Sequence, residues 1–241
     1  MLEQSPSIIY IESQRGRVTE QGGETFCSFN YGSFSNADKE PPYPVRYFNE
    51  TVLDEGGKAA LEVSGTCCFI LPLYNRLDVI AASQRISLQP GESLYLNNHW
   101  EVCCLNPQPD EKASFLWFTF VQKDAFIEQP SSLHVSLPLN RVKNQWIHLP
   151  VSQIGIKIGC VESRVKLNWD PDRKAMGKTF LFNLAGSFEV CGRLLYEKDG
   201  LLLWDRDQIE LEALHPASVI IMLELQDVLD AASGLTTPKP S

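Results

Sequence analysis

Phe180, Phe182 and Leu184 alternate with Leu181 and Asn183, and Ile209, Leu211 and Ala213 alternate with Glu210 and Glu212. A hydrophobic period of two predicts strands with one wetted face. Residues 201–204 (LLLW) and 219–223 (VIIML) are short unbroken apolar runs, which predict strands buried on both sides. Another strand is predicted at the start, over 8–11. Turn residues punctuate the chain at short intervals, in YNR, QPGE, NPQPDE, WDPDR and KDG. Helical periodicity is scarce. Only residues 225–232 (LQDVLDAA) predict a short helix, and the stretch after them reads as a frayed tail.

The strand pattern repeats. Segment 69–80 (FILPLYNRLDVI) matches 180–191 (FLFNLAGSFEVC), which aligns Val79 with Val190. Segment 88–96 then matches 196–204, with Gly91 opposite Gly200, and 116–120 matches 221–225. The spacing between copies shortens only across presumed loops such as 106–112, where length changes are tolerated. The duplication divides the chain into two β-domains, 1–123 and 124–233, followed by a tail over 234–241. In each copy a hairpin leads to a glycine turn, where glycine supplies a positive φ, and then to an apolar strand. Repeated antiparallel hairpins of this length close most economically into a small barrel or sandwich.

Composition narrows the function classes. Lysine plus arginine number 21 against 30 acidic residues, for a formal charge of −9. An acidic chain with no basic cluster repels a phosphate backbone, so no nucleic-acid partner is expected. No apolar run is long enough to span a bilayer, and no membrane partner is expected. The N-terminus lacks a basic region followed by an apolar one, so it does not read as a signal peptide. The seven cysteines form an odd count without an export signal and read as reduced thiols in the cytoplasm.

Four stretches carry a resemblance: 24–34 (ETFCSFNYGSF), 45–57 (VRYFNETVLDEGG), 86–106 (ISLQPGESLYLNNHWEVCCLN) and 179–205. In their order and spacing the chain resembles the cupin superfamily over residues 8–225. Within that superfamily it resembles the two-barrel pirin family, and above all its pirin-like bacterial members. The resemblance implies an all-β fold of two tandem cupin-type β-barrels with few short helices. Metal-bearing pirins share three histidines and one glutamate in the first barrel. That ligand set suits iron or another divalent metal and leaves positions open for substrate. By the resemblance, the His-x-His pair falls at Leu61 and Val63, and the His-x-Glu pair at Val102 and Cys104. Three inward positions would then be aliphatic and one a thiol. Glu62 would point away, since strand side chains alternate. The first barrel has no His-x-His, and its only histidine is His99.

Each remaining candidate has two readings. His99, beside Trp100, is a hydrogen-bonded loop residue, or a lone pocket group that orients a ligand or moves a proton. Cys103–Cys104 and Cys67–Cys68 are vicinal pairs, so the two thiols of each point to opposite faces of their strand. Neither pair has a C-x-x-C or zinc spacing. Free cysteine of this kind packs as a small hydrophobe, or it senses oxidants if exposed and acidic. Cys104 also has the softness to bind a metal. Cys27, Cys160 and Cys191 read as packing residues, and Glu50, Asp54 and Glu55 as solvated turn residues. His134, His148 and His215 lack a catalytic motif, and His215 reads as part of a turn. Tyr74, Asn75, Trp100, Trp117, Trp169 and Trp204 suit either barrel mouths or the core, packing being the commoner use.

The sequence therefore favours a pirin-like bicupin without its metal ligands: a non-enzymatic small-ligand-binding, sensing or interaction protein. No cofactor is expected, and the partner is an unknown small molecule or protein. Monomer and dimer are equally compatible with it. Two other readings stay open. One is a metal-dependent dioxygenase of the quercetinase type, holding iron or another divalent metal through His99 with Glu101 or Cys104. The other is a thiol-based redox responder acting through Cys103 and Cys104.

Overall fold

The computed structural model describes residues 6–63, 66–97, 101–121, 131–150, 154–170 and 177–225. The helix predicted over 225–232, apart from its first residue, and the tail lie outside these residues, as do His99 and Trp100. The described chain is all-β, with two short 3-10 turns at Glu12–Gln14 and Ala37–Lys39.

The duplication is visible in the strand order. The first barrel pairs Thr66–Tyr74 with Ala113–Val121 and with Glu92–Asn97, and Ala113–Val121 with Val45–Leu53. The second pairs Lys178–Ala185 with Ser218–Leu225 and with Gly200–Leu203, and Ser218–Leu225 with Gly155–Val161. Each large sheet faces a four-stranded one. In the first barrel this runs Lys58–Leu61, Val102–Leu105, Leu77–Ala81, Gln84–Leu88. In the second it runs Lys166–Trp169, Ile209–Ala213, Phe188–Val190, Arg193–Leu195.

Two edge strands cross the boundary drawn between residues 123 and 124. Ser7–Tyr10 pairs antiparallel with Gly200–Leu203 of the second barrel. Ser131–Ser136 pairs with Glu92–Asn97 of the first. Each therefore covers an otherwise bare sheet edge, whose free N–H and C=O groups would invite pairing with another chain.

Alternation sorts the side chains into three cores. Cys68, Ile70, Phe115 and Trp117 fill the first barrel, and Leu181, Leu203, Ile220 and Met222 fill the second. The opposite faces of the two large sheets pack on each other through Phe69, Phe118, Phe180, Phe182, Ile221 and Leu223. Phe48 stacks on Phe118 at 5.3 Å and meets Phe182 at 4.8 Å between ring centroids. The sequence pattern gave 178–185 one wetted face; both faces are buried there. Phe180, Phe182 and Leu184 look outward from their own barrel, and the other barrel covers them. Ile209–Ala213 does keep its wetted face, with Glu210 exposed.

The paired glycines also differ from expectation. Gly91 has a φ of 88°, but in the second copy Lys198 takes the left-handed conformation, with a φ of 67°. Gly200 stands inside a strand, where a Cβ would come 3.0 Å from the Phe180 ring. It is needed for close packing there rather than for the turn.

Buried Asp78 holds the hairpin of the first small sheet. It accepts from Ser87 Oγ at 2.7 Å, Arg76 Nε at 3.1 Å and Arg85 Nε at 2.9 Å. Burial alone would raise its pKa, but these hydrogen bonds outweigh it and hold the carboxyl below its ordinary range. The folded-state pKa is thus depressed. The stabilisation is complete above the unfolded-state pKa and is lost as pH falls through the folded-state one. Asp78→Asn is expected to cost about 1–3 kcal/mol at neutral pH. Denaturant melts at a series of pH values should show its deficit relative to wild type shrinking with acidification. A deficit independent of pH would contradict this account.

Candidate functional site

The positions that the resemblance assigns to metal lie together inside the first barrel. Leu61 stands directly opposite Val102, and Cys104 lies between Ala59 and Val79 on the neighbouring strands. Leu61, Val63, Val102 and Cys104 are all buried in the same apolar cluster. Glu62 points outward. Its carboxylate accepts from Tyr47 Oη at 2.8 Å and Arg46 Nη2 at 3.0 Å.

The donor chemistry here does not fit a divalent metal. Three of the four side chains are hydrocarbon, and the fourth is a thiol in a setting that keeps its proton. Burial, with Cys68 and Cys103 nearby, pushes the Cys104 thiol well above its usual value. Burial also pushes Cys68 up, and takes Cys27 to about 12. Among the described residues no group of three or more histidine, cysteine, aspartate or glutamate side chains could hold a metal ion. Glu101 is exposed while Cys104 is fully buried, so these two do not converge on one ion.

The vicinal cysteines separate as alternation predicts. Cys68 enters the first barrel, and Cys67 joins the core between the barrels, where Tyr95 Oη donates to its sulfur at 3.0 Å. Cys104 is inward, and Cys103 is half-buried on the other face. No disulfide joins any of the seven.

The same barrel contains polar groups that the sequence reading passed over. Thr25 and Thr51 hydroxyls lie 2.9 Å apart, and Trp117 Nε1 donates to Thr51 Oγ1 at 3.0 Å. Asn49 and Thr119 are fully buried, and neither side chain has a hydrogen-bond partner among the described residues. A signal for them existed. Asn49 and Thr51 share the inward face of their strand with Tyr47 and Leu53, so polar residues interrupt a hydrophobic period of two.

The other candidates scatter. Trp117 and Trp204 pack in cores, Tyr74 is exposed, and Asn75 is a turn residue with a φ of 61° that donates to Glu111 and to the Lys112 carbonyl. Exposed His134 lies 3.6 Å from Glu92. His215 does sit in a turn, with Nδ1 2.7 Å from Ser187 Oγ. No ion pair joins this histidine to a carboxylate among the described residues, so the pair lacks the third group of a triad. Trp169 and His148 meet in the second barrel at 5.6 Å.

A model of the quercetinase C-terminal cupin domain matches residues 161–225. No curated protein matches the chain by sequence. Bacterial pirin YhhW from Escherichia coli, solved in complex with nickel(II), superposes with a TM-score of 0.82 at 13% identity, covering 92% of this chain and 100% of that one. YhaK from E. coli gives 0.68 at 16% identity, covering 88% and 100%. A quercetin 2,3-dioxygenase from Acinetobacter baumannii gives 0.70 at 8% identity, covering 91% and 86%.

Proposed function

We propose that this chain, a pirin-like bicupin, serves as a non-enzymatic small-ligand-binding or sensing module of the cytoplasm and performs no metal-dependent dioxygenation. The observation that carries the reading is the apolar cluster of Leu61, Val63, Val102 and Cys104. Dioxygenation of the quercetinase kind needs a metal to activate dioxygen or substrate, and three hydrocarbon side chains with one protonated thiol do not make a ligand set for it.

Asn49 and Thr119 support the ligand-binding half of the reading. Buried polar atoms of this kind are partnered in folded proteins by ordered water or by a bound polar molecule. An amide and a hydroxyl suit a small neutral group that both donates and accepts. The thiol-redox reading is weaker, because the thiolate is the form that oxidants attack. Of the two thiols in that reading, Cys104 is buried with a raised pKa that keeps it protonated, which leaves only the half-buried Cys103 within reach of an oxidant.

The test is elemental analysis of the full chain after incubation with iron or nickel and dialysis, followed by oxygen-electrode assays with quercetin. The expected results are far less than one metal per chain and no saturable oxygen uptake. Stoichiometric metal, or uptake that saturates with flavonol, would overturn the proposal.

A further inference from the structure

The interior of the second barrel contains a buried cation. Lys157 stands in the strand Gly155–Val161, and its neighbours Ile156 and Ile158 pack into the core between the barrels. Alternation therefore sends Lys157 into the second barrel. Its side chain is only 4% exposed, and its ammonium lies 3.9 Å from the centroid of the Trp169 ring. Its counterion is Glu224, which is 26% exposed and so reaches toward water. Glycines make the room: a Cβ on Gly155 would collide with the Glu224 carboxylate, and one on Gly159 would press on the Trp146 ring at 3.3 Å. Thr179 stands opposite Glu224, and exposed His148 stands opposite Lys157.

The donors here outnumber the acceptors. The indole N–H groups of Trp146 and Trp169 are both buried without a hydrogen-bond partner among the described residues. The ammonium has Glu224 as its carboxylate partner, near solvent, and neither indole N–H reaches that carboxylate. Flat apolar surface is supplied by the two indole rings, which pack against the second core. A buried cation, unused N–H donors and aromatic walls are the recognition elements for a small organic acid with a flat apolar body.

We propose that the second barrel binds a small organic carboxylate at this site, where the ligand takes the place of Glu224 on Lys157 and accepts from the indole N–H groups. The proposal deepens the binding-module reading and rests on it. The two fail separately, since metal analysis reports on the first barrel and the following experiment on Lys157.

The probe is benzoate, titrated into the full chain while tryptophan fluorescence is recorded. Wild type is expected to show a saturable change. Glu224→Gln removes the competing charge and should tighten binding by on the order of tenfold. The double variant Lys157→Met, Glu224→Gln deletes the ion pair together, so no buried charge is left alone. It should retain a cooperative thermal transition and lose the saturable response. A wild-type response that stays flat or linear, a double variant that titrates like wild type, or a Glu224→Gln variant that keeps its cooperative thermal transition yet binds no tighter would each overturn the proposal.

Discussion

Replacing Glu50 with alanine is expected to lower the unfolding free energy by about 3–5 kcal/mol, the range for breaking a buried ion pair from one side. Glu50 lies in the strand Val45–Leu53 of the first barrel and is 12% exposed. It accepts from Arg15 Nη1 at 3.0 Å and pairs with Lys198 of the second barrel at 3.2 Å. The Arg15 side chain is 4% exposed, donates to the Phe26 carbonyl at 2.8 Å, and lies 5.4 Å from the centroid of the Phe182 ring. Without Glu50 the guanidinium stays buried with its charge unmatched. Lys198→Met should cost far less, because Arg15 would still balance Glu50. Denaturant melts of both variants measure the difference. A Glu50→Ala loss no larger than that of an ordinary surface substitution, within about 0.5 kcal/mol, would show that water reaches Arg15 and that the pair does not join the barrels.

Glu50 also marks where sequence reasoning stops. The motif NETVLDEGG suggests solvated turn carboxylates, and that holds for Asp54, half-exposed and paired with Lys112, and for exposed Glu55. Glu50 sits in the same motif yet is only 12% exposed, because its partners are distant in the chain: Arg15 lies just before the strand Gly16–Glu20 and Lys198 within the second barrel. No local pattern encodes such a meeting.

The same distinction explains the rest. Period-two alternation and the internal repeat made the strands and the duplication legible, and the family resemblance supplied the inward places of Leu61, Val102 and Cys104, since all of these depend on register within one sheet. They did not show that Phe180 and Phe182 face a second barrel, or that the edge strands cross over, since both depend on how two domains pack. Lys157 escaped notice because it stands between isoleucines and glycines, where a lone cation reads as the solvent side of a strand. Its burial follows from Ile156 and Ile158 being covered by the other barrel.

Installing the ligand set that the resemblance implies should change the first barrel most. The variant Leu61→His, Val63→His, Val102→His, Cys104→Glu places four polar groups among Leu77, Val79, Leu88 and Trp117. Each unpartnered buried group costs about 1–3 kcal/mol, and together they approach the whole stability of a typical domain, about 5–15 kcal/mol. Without metal the variant should melt far below wild type. Nickel should recover part of that loss and raise the melting temperature, because a ligand that binds only the folded chain at 100 times its dissociation constant contributes about 2.7 kcal/mol. Leu61→His alone should be destabilised without any response to nickel, since one imidazole cannot hold the ion. Thermal melts with and without nickel separate these outcomes. If the fourfold variant melts at the same temperature in both, the four positions do not converge on a common point. The aliphatic residues would then be ordinary core rather than the substitutes for a lost metal site.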